Sequence, residues 1–154
     1  MSLALKRIHK EINDIQNTKQ KELPENISTG PVNKNNLFIW EATIIGPTET
    51  PYEGGIFKLN IKFPESYPFN PPILKFTTRI FHPNISENGD ICLDILKYKW
   101  SPAYSLIQVL LSLSSLLSDP NPDDPLNPDA AHLYKRNKSE YIETVRLYTQ
   151  QYAN

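Results

Sequence analysis

Cysteine is nearly absent from this chain: of 154 residues, only Cys92 carries a thiol. One cysteine excludes an internal disulfide, and beside three scattered histidines it makes a poor zinc site. Catalysis or packing is what remains for it. Net charge is nearly absent too, since 16 basic face 17 acidic side chains, so no large field draws nucleic acid or anionic lipid. No apolar run has the length that crosses a bilayer. Met1 to Lys10 include Lys6, Arg7 and Lys10 but lack the apolar stretch and small-residue cleavage site of a secretory signal. The expectations are no metal, no nucleic acid, no membrane, and a cytoplasmic or nuclear setting.

Proline, by contrast, is plentiful. Fourteen prolines argue against an all-helical bundle, because each lacks an N–H and resists helix interiors. Hydrophobic and charged fractions of 39% and 21% sit near globular averages, and a chain of this length buries about two-thirds of its unfolded surface. One domain over residues 1–154 is expected, with no repeat and no linker dividing it.

Leu5, Ile8, Ile12 and Ile15 recur at spacings of three and four, which predicts an opening helix with one apolar face. Pro24 and the polar stretch through Asn36 end it. Leu37 to Ile45 is rich in aromatic and β-branched residues that suit a strand, closed by Gly46-Pro47. Ile56 to Phe63 alternates, with Phe57, Leu59, Ile61 and Phe63 on one side, as a half-buried strand does. A proline-rigidified connection, Tyr67 to Pro72, leads to a third strand, Ile73 to Thr78. Short connections in series favour an antiparallel meander.

From Phe81 to Trp100 the period disappears, and this stretch holds Asn88-Gly89 and the thiol within Asp90-Ile91-Cys92-Leu93-Asp94. Ser101-Pro102 is the expected start of a buried helix carrying Leu106, Val109, Leu110, Leu113, Leu116 and Leu117. The run Asp119 to Pro125, made of prolines and short polar residues, stops that helix. Ala130 to Tyr134 reads as a short helix. Asn137 with Glu140 reads as a capping box opening a last helix faced by Tyr141, Val145, Tyr148 and Tyr152.

Each candidate for chemistry has two readings at this point. Cysteine is among the most buried residue types, so Cys92 could simply pack. Its place in an irregular segment between Asp90 and Asp94 argues for a reactive role instead. Adjacent carboxylates disfavour a thiolate, so a reactive Cys92 suits exchange of an already activated acyl group rather than protease-like attack. His82 is the nearest base in sequence, or a structural histidine before a proline. Asn84 could donate to a developing oxyanion or merely shape a turn. Asp124 could orient or deprotonate an amine, or be a solvated loop acid.

His82-Pro83-Asn84, then Cys92 eight residues past the asparagine, then Trp100-Ser101-Pro102 beginning eight residues past the cysteine, form an arrangement that resembles the ubiquitin-conjugating enzymes. The resemblance runs from the first helix to the last, through Gly46-Pro47, Tyr52-Glu53-Gly54-Gly55, Tyr67-Pro68-Phe69, Pro71-Pro72 and Asp119 to Pro125. It implies an α+β fold, a four-stranded antiparallel sheet flanked by about four helices, with the additional strand around Ser28 to Val32. It implies that Cys92 takes ubiquitin from an activating enzyme as a thioester, without cofactor or metal, ATP being used upstream. Asn84 would stabilise the oxyanion or hold the active-site loop, Asp124 would tune the attacking lysine, and Asp94 would contribute beside them.

By the same resemblance, Lys6, Arg7, Phe69, Ser101, Pro102 and Ala103 match the surface that meets the activating enzyme and RING, U-box or HECT ligases. Ser28 aligns with a serine that binds ubiquitin noncovalently. The Asp119 to Pro125 run and the short length resemble the broad-acting class without terminal extensions. The sequence departs from that class over Gln20 to Ile27, and Asn33 to Asn36 carries one residue more. A cysteine hydrolase, an inactive binding module, and a conjugating enzyme for a SUMO- or Nedd-type modifier are the rival functions.

Overall fold

In the computed structural model, which describes residues 1–17 and 23–154, the opening helix α1 spans Leu3–Gln16. Ser2 caps it, its hydroxyl accepting from the Leu5 amide at 3.1 Å. The deepest side chains are Ala4, Ile8 and Glu11, with Ile12 and Ile15 partly buried beside them. Leu5 is only half-buried, so the apolar stripe lies one position away from the expected one. A carboxylate belongs in that stripe because Glu11 accepts from the Tyr67 hydroxyl and, at 2.5 Å, from the Leu106 amide. Of the departure over Gln20 to Ile27, residues 20–22 lie outside the described residues.

Four strands follow: β1 Ile27–Asn33, β2 Asn36–Ile45, β3 Ile56–Lys62 and β4 Ile73–Phe76. They pair antiparallel in the order β1-β2-β3-β4. The strand implied around Ser28 to Val32 is β1, which tolerates Pro31 because it lies at the sheet's edge. Directly opposed residues share a face, and the pairs Trp40 with Ile61, Ala42 with Leu59 and Ile44 with Phe57 form the buried side. Ser28, Thr43 and Lys58 align on the opposite side. β3 and β4 end slightly earlier than the alternation predicts. Phe63 still turns inward, and the Thr77 and Thr78 amides reach back to the Lys58 carbonyl as bends.

The central helix α2 spans Leu106–Ser118 and starts later than Ser101-Pro102 predicts. Ser101 instead closes a turn, its hydroxyl accepting from the Ala103 amide and its carbonyl from Tyr104. Ser105 is the true cap, in a reciprocal box with Gln108. Leu106, Val109, Leu110, Leu113 and Leu117 then join the sheet's inner face in one core. The last helices, α3 Pro128–Arg136 and α4 Lys138–Tyr152, meet at Asn137. Its amide ends α3 on the Leu133 carbonyl while its side chain caps α4 through Glu140. Glu140 therefore receives Asn137's side-chain amide rather than its backbone N–H, and the expected capping box is half formed.

Candidate active site

The segment carrying Cys92 is irregular but fixed. Gly89 adopts φ +90°, and a Cβ there would lie 2.0 Å from the Phe76 carbonyl oxygen, so only glycine allows this turn to press against β4. Its carbonyl accepts from the Phe76 amide at 3.0 Å. Phe81, Ile85, Ile91 and Leu93 point into the core, and single bridges join His82 to Ile85 and Ile85 to Ile91. A short 3₁₀ turn, Asp94–Leu96, follows the cysteine.

Asn84 is the junction of the site. Its carbonyl accepts from the Cys92 amide at 2.9 Å. Its side chain, 1% exposed, reaches the other way. The amide donates to the Asn121 carbonyl at 2.7 Å and the Asp124 carbonyl at 3.1 Å, while its oxygen accepts from the Asn121 amide at 2.8 Å. One asparagine thus ties the cysteine segment to the Asp119 to Pro125 loop, and both amide hydrogens are engaged. Pro83 adds two contacts, its carbonyl accepting from Leu126 and Asn127.

The result is a half-buried thiol facing one acid and one base. Sγ donates to Asp124 Oδ2 at 3.2 Å and receives Lys97 Nζ at 3.8 Å. Burial, reinforced by Asp124, pushes the Cys92 thiol above its ordinary range, and Lys97 opposes that rise. The thiol therefore stays protonated at neutral pH, the outcome expected of the flanking acids, but burial is the main cause and the acid that adds to it is Asp124. Asp90 pairs with Lys75 at 3.8 Å, and Asp94 pairs with Lys99 at 3.4 Å while lining the same groove as Cys92.

His82 is not placed to act as a base. It is fully buried, its Nε2 contacts the Leu116 carbonyl at 2.8 Å and its Nδ1 accepts from the Asn84 amide at 2.9 Å. Those partners fix a neutral tautomer, and burial lowers its pKa to about 4. Its task is to hold the His82-Pro83-Asn84 turn.

The residues matched to a docking surface also come together. Leu3, Lys6, Arg7, Lys10, Pro68 and Phe69 line one shallow groove, with Phe69 65% exposed. Pro102 and Ala103 are exposed, and Ser101 is half-buried. Arg7 differs from the rest: its guanidinium donates to the Pro102 and Tyr104 carbonyls, both at 2.7 Å, and lies over the Tyr67 ring. It braces this surface rather than offering it a free charge. Trp100 adds a bond from Nε1 to the Pro68 carbonyl at 2.9 Å, joining the two loops. Ser28 is exposed on the outer face of the sheet.

Lys97, Tyr98 and Asn121 line the groove but were not singled out from sequence. Lys97 and Tyr98 follow the cysteine as two ordinary surface residues, and only the 3₁₀ turn brings the lysine back to the sulfur. Asn121 stood among turn residues that all looked alike.

Fold and site define an α+β domain that presents one thiol from a fixed irregular segment, opposite a second loop bearing an acid. The family model of ubiquitin-conjugating enzymes matches residues 7–149, nearly the whole chain, and the protein belongs to the ubiquitin-conjugating enzyme family. It is accordingly a transferase of ubiquitin-type conjugation, in a family that works with a modifier, activating enzymes and ligases.

Proposed function

We propose that the protein accepts ubiquitin from an activating enzyme as a thioester on Cys92 and passes it, with a ligase, to a substrate lysine or to a ligase cysteine. The observation that carries this reading is the contact between Cys92 Sγ and Asp124 across loops joined by Asn84. A thiol that is not pre-ionised and has no histidine base suits exchange with an acyl group already activated elsewhere. In loading, the sulfur forms a bond to the modifier's C-terminal carbonyl as the upstream thioester breaks. In discharge, an amine adds to that carbonyl, an amide forms, and the Cys92 thiolate leaves.

Asp124 can take the amine's proton from where it stands. Asn84 acts as a positioning residue, since both hydrogens of its amide already hold the loop. Asp94 keeps Lys99 at the groove's edge. No cofactor or metal enters either step, ATP being consumed upstream. Lys6, Phe69, Ser101, Pro102 and Ala103, on a frame braced by Arg7, form the face for activating enzyme and RING, U-box or HECT ligases. Ser28 lies on the sheet face that would hold ubiquitin noncovalently. The setting is the cytoplasm or nucleus, and the class is the broad-acting one.

Parallel charging reactions with ubiquitin, SUMO-type and Nedd-type modifiers, each with ATP and its own activating enzyme, test the modifier. A reductant-sensitive adduct with ubiquitin is expected. Charging only by another modifier would keep the chemistry and change the pathway, and no adduct with any would point to an inactive binding module.

A further inference from the structure

Of the chain's eight tyrosines, all but Tyr98 pack against another aromatic ring. Tyr98 is 81% exposed, and among the described residues no ring contact, hydrogen bond or ion pair holds its side chain. One exposed apolar residue is ordinary on a protein surface. What sets Tyr98 apart is its place, because it lines the groove that holds Cys92 and Asp124. Its backbone is also held from both sides. The Asp94 carbonyl accepts from the Lys97 amide at 3.0 Å and the Lys99 amide at 3.1 Å, and the Trp100 amide reaches the Lys97 carbonyl at 3.2 Å. Trp100 is anchored in turn between Tyr67 and Tyr104. The ring is thus carried at a fixed point on the groove's rim, with only its two side-chain torsions free.

We propose that Tyr98 is a specificity-determining residue for discharge, whose ring covers an apolar side chain next to the acceptor lysine, so that polypeptide lysines with apolar neighbours are captured in preference to others. This rests on the reading that Cys92 carries the modifier as a thioester. The carbonyl of that thioester is fixed on Sγ, among walls that include buried Asn84 and Leu93 and half-buried Leu116. A ring on the rim instead meets what arrives from solvent, and discharge brings an amine with chain on either side of it. Apolar contact is what the ring offers. Beside it, Lys99 pairs with Asp94 at 3.4 Å and Lys97 turns to the sulfur, so neither gives Tyr98 a free charge with which to select a charged neighbour.

A tyrosine presents a large apolar face at low entropic cost, and here that face is covered only while an acceptor is docked. The contact lies away from the sulfur and Asp124, so it acts on capture rather than on the bond change. It therefore lowers the acceptor concentration that half-saturates discharge and leaves the limiting rate alone. Free lysine has no flanking chain and provides the internal reference. The hydroxyl has no part in the contact, so phenylalanine should serve as well.

The test charges the full chain with ubiquitin, ATP and activating enzyme, stops charging, and follows loss of thioester to three acceptors. These are free lysine, an N-terminally blocked peptide with one lysine between leucines, and the same peptide with glycines in place of the leucines. The parent should favour the leucine peptide over the glycine peptide. In Tyr98→Ser the half-saturating concentration of the leucine peptide should rise about three- to tenfold with the limiting rate kept, and in Tyr98→Phe the preference should remain. No preference in the parent, or a preference that survives in Tyr98→Ser, would overturn the inference alone. So would equal slowing of all three acceptors in Tyr98→Ser, which would place the ring on the modifier's tail. Absence of any thioester in the parent would overturn the underlying reading together with it.

Discussion

Asn84 shows how one buried side chain can set a reaction without touching the reacting atoms. Its three side-chain hydrogen bonds hold Asn121 and Asp124 against the segment that carries Cys92. Asn84→Ala should cost about 2 kcal/mol of stability, speed hydrogen exchange at the Asn121 amide, and slow discharge to free lysine. Slowed discharge with Asn121 exchange unchanged would put the Asn84 amide on the oxyanion instead. The thiol offers a second residue-scale test, because its neighbours pull in opposite directions. Alkylation of Cys92 at neutral pH should run about two- to fivefold faster in Asp124→Asn and slower by a similar factor in Lys97→Met. Equal rates in all three proteins would mean that neither charge reaches the sulfur. The motif His82-Pro83-Asn84 was legible as a unit, but which atoms it holds was not, since its partners lie at Leu116, Asn121 and Asp124.

At the scale of elements, Glu11 links α1 to the first amide of α2 and to Tyr67. Burial raises its carboxyl pKa, so the folded state holds that proton more tightly than the unfolded chain does. This group's contribution is therefore fully present in acid, below the unfolded value of about 4.5, and is lost as pH rises through the higher folded value. Glu11→Gln keeps a group that can bond both partners and should fall within about 1 kcal/mol of the parent, with that pH dependence removed. Glu11→Ala strands a buried N–H and a hydroxyl and should cost about 2–4 kcal/mol. Urea unfolding at several pH values measures both.

Helix α1 and the alternating strand β3 were legible because one apolar period sufficed to define each. The start of α2 was not, because Ser101-Pro102 and Ser105 are both plausible starts and only the turn closed by Ser101 separates them. β1 lacks an apolar alternation, carrying Gly30 and Pro31 in its middle, and became visible only through family resemblance.

Across the whole molecule, loops form the site and the core keeps those loops still. Buried, neutral His82 is the pH-sensitive part of that arrangement. Its pKa is lowered from 6.5 to about 4, so its contribution is intact above pH 6.5 and is lost as pH falls toward 4. The full effect is about 3 kcal/mol. Thermal melts across this window should show the loss, and His82 ring resonances should stay those of the neutral form until unfolding begins. A ring that titrates near its ordinary value in the folded protein would contradict the buried assignment.

The central claim is that Cys92 is the acyl carrier, and the most direct test is charging of the parent, Cys92→Ser and Cys92→Ala proteins with activating enzyme, ATP and ubiquitin. The parent should form an adduct that reductant cleaves, Cys92→Ser an ester that resists reductant, and Cys92→Ala none. Undiminished charging of Cys92→Ala would contradict the account.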